Sequence, residues 1–171
     1  MIDGLSRAGV RFVVVGGVAG IVHGSVRRTD DLDISYDPAP DNVNRLVAVL
    51  HRWHARLRVP DCTGAQLPFL IDTRSFRGAP NLTLDTDLGW FDLLGHVAGI
   101  GEYPEALAAS QLEHLDGVVL RVLTLDALIQ AKQTANRGRD HDHLIELEAI
   151  RALKQLQAKG PPAPPRRRRS R

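Results

Sequence analysis

Asp31-Leu32-Asp33 places two carboxylates two positions apart in a stretch, Asp31 to Ser35, whose polar and apolar residues alternate. Alternation of period two reads as a strand, on which residues i and i+2 point to one face. Asp31 and Asp33 therefore project together, roughly 7 Å apart at their Cα atoms, while Leu32 and Ile34 face a core. Carboxylates so placed suit one or two hard divalent cations. Mg²⁺ takes a few carboxylate oxygens and completes its shell with substrate phosphates. Two such ions can stabilise both the attacking and the leaving oxygen of a phosphoryl-type transfer. Gly16 and Gly17 stand at the junction of a β-branched run and a helical pattern, thirteen residues before Asp31. Backbone N–H groups at such a junction attract a triphosphate, and Arg27 and Arg28 add cations for further phosphate contacts. Each half also has a plain structural reading: a Gly-Gly after a strand makes a tight turn, and Asp-X-Asp occurs on solvated strand edges. Their order and spacing join them into a candidate site for a nucleoside triphosphate and its metal ions.

Other reactive residue types carry less. His141 and His143 in Asp140-His141-Asp142-His143 are two apart on a helical pattern, so their side chains diverge and make no zinc site. His51 and His54 could share a helix face but have no third ligand in view. Cys62 sits in a loop without a histidine partner motif, which argues against a thiol nucleophile. Trp53 and Trp90 are too few and too separated for a base-stacking platform. For Trp90, near Asp92, core packing is the first reading and stacking on a nucleotide base the second.

Elements must hold these residues in place. A short helix is expected over Ile2 to Ala8, and Val13, Val14 and Val15 read as a buried strand. Residues 18–24 read as a short helix ending at Gly24, a natural C-cap. Val43, Leu46, Val47 and Leu50 recur at helical spacing, with Asp41 as the expected N-cap. Asn81 to Leu94 reads as two strands joined by a turn at Asp87 to Gly89. Asp116-Gly117 between apolar runs marks a hairpin. Thr124 should cap a helix running to about Arg137, and Asp140 a last amphipathic helix with Leu144, Leu147, Ile150 and Leu153 along one face. Strands and helices alternate early, and hairpins and helices follow. The expected fold is α+β, a small mixed β-sheet with helices packed on it.

The chain has 171 residues, 43% hydrophobic and 25% charged, the composition of an ordinary globular protein. Its net charge of +2 comes from the five arginines of the tail, without which it stands at −3. Overall charge therefore argues little for nucleic acid. The expected organisation is one domain over residues 1–158, with C-terminal helices from about 124, and a disordered Pro/Arg-rich tail over 159–171. The tail could draw RNA phosphates by counterion release or serve only as a solubilising extension. A single cysteine, no signal-like start and no apolar run of about 18 residues point to a cytoplasmic, non-membrane protein.

The order Gly16-Gly17, thirteen residues, Asp31-Leu32-Asp33-Ile34 resembles the nucleotidyltransferase superfamily of DNA polymerase beta-like enzymes. Residues 13–34, 84–95 and 125–150 look like the AbiEii-like and MenT-like nucleotidyltransferases of type IV toxin–antitoxin systems. The resemblance implies a nucleotidyltransferase fold and Mg²⁺-dependent transfer of a nucleoside monophosphate from an NTP, with two ions expected and Mn²⁺ as a substitute. It implies the tRNA 3′ end as acceptor and a cognate antitoxin as partner. A small molecule such as an antibiotic, or a protein hydroxyl, is the alternative acceptor. A non-catalytic, antitoxin-like binding module is the other alternative, although such a module gains nothing from clustered carboxylates.

The family adds a third acid on a later strand, for which Asp85, Asp87 and Asp92 are candidates. Asp87 precedes Gly89 and reads as a turn former, and Asp85 lies on the strand before that turn. Asp92 lies between Phe91 and Leu93, where a carboxylate is costly and a metal would explain it. The family's motif puts its acid there, so Asp92 is the expected third acid. The resemblance makes Asp31, Asp33 and Asp92 the catalytic, metal-binding residues, and Gly16, Gly17, Arg28 and Lys132 the nucleotide contacts. By itself Lys132 also reads as a snorkelling lysine. Arg137, Arg139 and Asp140 match the Arg-rich turn that follows it in the family.

Overall fold

The computed structural model describes residues 1–58, 71–115, 117–136, 138 and 141–158. Cys62, Asp116, Arg137, Arg139, Asp140 and the tail from 159 lie outside these, and so do the expectations that rest on them. Helix α1 (Ile2–Arg7) leads into strand β1 (Phe12–Val14), helix α2 (Gly16–His23) and strand β2 (Asp31–Tyr36). Helix α3 (Pro40–Arg52) is followed by a short strand β3 (Arg56–Leu57), the hairpin strands β4 (Leu82–Thr86) and β5 (Gly89–Leu94), and helix α4 (Tyr103–Ala108). Strands β6 (Ser110–Leu115) and β7 (Val118–Leu123) precede helices α5 (Leu125–Ala135) and α6 (His141–Ala158). The strands form one seven-stranded mixed sheet in the order β3-β4-β5-β2-β1-β7-β6.

The β-branched run of β1 is continuous because this central strand is covered on both faces. Phe12 and Val14 join the main core with Leu32, Ile34, Leu46, Leu50, Phe91 and Leu93. Val13 and Val15 turn the other way, into a smaller cluster with Val97, Leu123, Ala127 and Ala131. Asp33 and Ser35 share that second face, since Val13 pairs with Ser35 across the β1–β2 ladder. The site is therefore built on the face where apolar cover is thinner.

Several local expectations hold. Gly24 ends α2 in the left-handed conformation at φ +108°, and the Thr124 side chain accepts the Ala127 N–H at the start of α5. Other expectations need correction. Helix α2 begins at Gly16, two residues earlier than residue 18, so both glycines lie in its first turn. Helix α3 is capped at Ala39, not Asp41, with Pro40 at its first position. Asp41 instead takes a two-pronged bond from the Arg11 guanidinium at 2.8 and 2.9 Å, an ion pair that outcompetes a single capping bond. On α6, Leu147 is fully buried but Leu153 is 59% exposed, because the last turns run past the body they would pack on. Strand β3 and helix α4 were too short to leave a periodic signal.

The start of β1 is pinned to the end of β2 by Asn42, which is fully buried. Its Oδ1 accepts the Arg11 N–H at 2.7 Å, and its Nδ2 donates to the carbonyls of Arg11 at 3.0 Å and Asp37 at 2.8 Å. Asn42→Ala takes the partner from the part-buried Arg11 N–H and Asp37 carbonyl, leaves the Arg11 carbonyl only the Asp37 N–H at 3.2 Å, and should cost about 2–4 kcal/mol. Urea denaturation should show a lower midpoint at an unchanged m-value. A loss under about 0.5 kcal/mol, the level of an ordinary surface change, would mean that the pin carries no weight.

Candidate active site

Strands β2 and β5 run parallel, with Asp33 beside Asp92 and Asp31 beside Trp90. This register lifts one carboxylate of β5 onto the face that carries the two of β2. One oxygen from each of Asp31, Asp33 and Asp92 lies within 4.8 Å of the others. Among the described residues this is the one group of three or more acidic, histidine or cysteine side chains close enough to share an ion. Three carboxylate oxygens converging from two strands form a hard, all-oxygen donor set that fits Mg²⁺ or Mn²⁺ and leaves room for water and phosphate.

The other two candidate acids are placed elsewhere. Asp85, on β4, is exposed and lies opposite Trp90. Asp87 lies in the β4–β5 turn, where its backbone N–H donates to the Trp53 carbonyl and its carboxylate meets His54 Nδ1.

The glycines make room within the protein itself. Gly16 has φ +61°, and a Cβ there would lie 1.9 Å from Asp33 Oδ2. A Cβ on Gly17 would lie 2.4 Å from Thr29 Oγ1. The close approach that these glycines permit is thus first that of Asp33 and Thr29 to the start of α2. The Gly17 N–H donates to the Asp33 carboxylate, and the Thr29 hydroxyl donates to Asp31 Oδ1 at 2.6 Å. Both acids of β2 are therefore oriented by groups of the protein itself. Thr29 was missed in the sequence because a lone threonine in a loop has no signature.

Electrostatics mark Asp33 as the strained member. Burial, followed by the charges of Asp31 and Asp92, raises its pKa from 3.8 to about 6, against the opposing pull of the Gly17 N–H and Lys132. A carboxylate held this way lacks positive charge.

The acids open on a cavity of about 450 Å³, a size suited to a small ligand. Gly16, Gly17, Arg28 and Lys132 all line it, so the expected nucleotide contacts share one cavity with the three acids. Lys132 sits on α5, half-buried, with its charge felt at Asp33. The loop that carries Arg27 and Arg28 is tied down from α6: Glu146 accepts from Val26 N–H at 2.8 Å and Ser25 Oγ at 3.0 Å. Those bonds hold the Glu146 carboxyl below the usual carboxylate range, the Val26 N–H contributing most.

Sequence reasoning missed His143. It is correct that His141 and His143 diverge, but the buried His143 ring lies against Gly20 of α2 and lines the cavity. Its helical spacing to Leu147 was the available signal. Trp90 is a further correction: it is 44% exposed, so its first reading as a core residue fails. The Arg58 guanidinium lies over its ring, 4.6 Å from the centroid.

No protein-family profile and no curated protein sequence matches the chain. Solved structures do. The lincomycin-bound lincosamide antibiotic adenylyltransferase LnuA superposes with a TM-score of 0.58 at 13% identity, over 87% of this chain and 92% of that one. The antibiotic-resistance factor ANT(2″)-Ia gives a TM-score of 0.52 at 16% identity, over 92% and 89%. At these identities the likeness is one of fold, and the fold is that of nucleotidyltransferases.

Proposed function

We propose that the chain is a Mg²⁺-dependent nucleotidyltransferase that moves a nucleoside monophosphate from an NTP to an acceptor hydroxyl, most directly the 3′ end of tRNA. The observation that carries this reading is the convergence of Asp31, Asp33 and Asp92 on a cavity that also holds Gly16, Gly17, Arg28 and Lys132. In this reading Asp31, Asp33 and Asp92 hold the ion or ions, which supply charge stabilisation at the phosphate oxygens. Lys132 and Arg28 grip the β- and γ-phosphates and orient the leaving group away from the acids. Asp92 takes the proton of the acceptor hydroxyl as general base. The acceptor oxygen then bonds to the α-phosphorus as the bond to the β-phosphate bridge breaks, and pyrophosphate leaves.

Two features favour RNA over a cationic drug. Arg27, Arg28 and Lys132 line the cavity beside the three acids and Arg58 stands next to Asp92, and these cations are placed to pair with the phosphodiesters of an RNA. The sequence resemblance to type IV toxin enzymes points the same way and brings a cognate antitoxin with it. The lincosamide and ANT(2″)-Ia neighbours favour a second reading, an antibiotic as acceptor. Among the described residues no helix is long and apolar enough to cross a membrane.

Label transfer separates the readings. Protein, Mg²⁺ and each of the four α-labelled NTPs are incubated with total tRNA, and in parallel with lincomycin or tobramycin. Label should appear on tRNA with one nucleotide preferred, and should vanish with Asp33→Ala. Label on a drug alone would move the acceptor to the second reading. Label on neither tRNA, drug nor protein would remove the transferase reading.

A further inference from the structure

Two side chains that the reaction leaves unused flank its third carboxylate. Arg58 follows β3, fixed by its backbone N–H donating to the Thr83 carbonyl at 2.8 Å. Its Nη2 lies 3.9 Å from Asp92 Oδ1, and its guanidinium carbon 4.6 Å from the centre of the Trp90 ring. Trp90 stands two residues before Asp92 on β5, on the same face, with Asp31 as its neighbour on one side and Asp85 on the other.

The contrast between the two tryptophans is informative. Trp53 is 7% exposed and packs edge-on against Phe91, whereas Trp90 is 44% exposed and stands between Asp31 and Asp85 across the sheet. An indole spread over a charged face gains little by burial there. It is well suited to stacking a planar ring.

Position across the sheet says which ring. Gly16, Gly17 and Lys132 approach the acids from β1, α2 and α5, on one side of β2. Arg58 and Trp90 approach from β5, β4 and β3, on the other. In-line displacement puts the leaving pyrophosphate and the attacking hydroxyl on opposite sides of the α-phosphorus. With the triphosphate gripped on the glycine side, the attacking group enters past Arg58 and Trp90.

We propose that Arg58 and Trp90 form the acceptor subsite and that it takes a single-stranded RNA 3′ end, a base stacking on the indole and a phosphodiester pairing with the guanidinium. The proposal rests on the nucleotidyltransferase reading for the identity of the reaction, but the binding step stands apart from it.

Binding is read first, without turnover. A short single-stranded RNA with a free 3′ hydroxyl is titrated into the full chain while tryptophan emission is followed. The exposed Trp90 should be quenched and the buried Trp53 should not, so Trp90→Phe should abolish the signal. A labelled-RNA assay should show Trp90→Ala and Arg58→Ala weakening binding about 5- to 150-fold, the range of a lost stacking contact. Arg58→Ala should also flatten the salt dependence by about one unit of slope, and Arg58→Lys should restore part of the affinity. In the transfer assay both alanine variants should raise the KM for RNA and leave the KM for NTP unchanged.

Circular dichroism and the melting temperature of Trp90→Phe and Arg58→Lys guard against misfolding. RNA affinity unchanged in both alanine variants would overturn the proposal, and so would equal losses for RNA and NTP. Trp90-dependent quenching by lincomycin or tobramycin and not by RNA would overturn it in favour of a small-molecule acceptor. Trp90-dependent RNA binding without transfer of any nucleotide would retain the subsite and remove the enzymatic reading.

Discussion

Asp33→Asn is expected to stop transfer and, in metal-free protein above pH 7, to raise the melting temperature. The two effects have one cause. Asp33 sits with Asp31 and Asp92 close by, and its pKa rises from 3.8 to about 6. A carboxylate whose folded pKa lies above its unfolded value binds more protons in the native state. It therefore destabilises the fold when ionised: the penalty is absent below about pH 4, grows between about pH 4 and 6, and is fully present above. A shift of about two pKa units corresponds to about 3 kcal/mol, or on the order of 5–10 °C in a domain of this size. Asparagine carries no charge at any pH, so the variant should melt higher in EDTA and lose the acid-side rise in stability. Mg²⁺ or Mn²⁺ should stabilise the wild type by mass action and leave the variant unmoved. Loss of a ligand worth several kcal/mol in the transition state predicts about a 10³-fold fall in kcat. Differential scanning calorimetry across pH, with and without Mg²⁺, checks the first half, and label transfer the second. A variant that melts lower than wild type in EDTA would mean that the Gly17 N–H and Lys132 already neutralise Asp33.

Gly16→Ala should be almost as damaging, for a steric reason. The backbone there is left-handed, and the new methyl would lie 1.9 Å from Asp33 Oδ2, 2.5 Å from its Cγ and 2.8 Å from its Cβ. No rotamer of Asp33 clears all three, so either the strand or the first turn of α2 must move. The expected cost is about 2–4 kcal/mol, strain and overpacking together, with activity reduced by about 10²-fold or more because misplacing a metal ligand by an ångström is enough. Gly24→Ala is the matched control. Gly24 is also left-handed, at φ +108°, but nothing lies within 4 Å of where its Cβ would be. It should show backbone strain alone, about 1 kcal/mol, with activity kept. Adding Asp33→Gly to Gly16→Ala should recover much of the lost stability and none of the activity. Simple additivity in that cycle would mean that the two residues do not clash.

What could be read in the chain was what neighbours in sequence decide. Alternation along β2 sets Asp31 and Asp33 on one face, a continuous valine run marks a strand buried on both sides, and a threonine or a glycine in the right place ends a helix. What could not be read was decided by partners far along the chain. Residue types alone leave Asp85, Asp87 and Asp92 open as third acid, and only the parallel register of β5 on β2 sets Asp92 beside Asp33. Asp41 looked like a cap until Arg11 was seen to claim both its oxygens. Helical spacing sets His143 aside as a zinc ligand, and its place against Gly20 and the cavity follows only from how α6 is laid on α2. Arg58 offers no pattern at all, since its meaning depends on which strand it ends beside.

The insertion of β5 between β4 and β2 also bears on how the molecule comes into being. The β4–β5 hairpin closes locally, but its pairing with β2 must wait for the intervening α3 and β3 to be made and folded back. Long-range parallel pairing of this kind is slow compared with turn and helix formation. A chain emerging from the ribosome thus carries two aspartates on β2 well before it carries a third in register, and Lys132 arrives later still on α5. The three carboxylates that the proposed reaction needs therefore come together only when the sheet is complete.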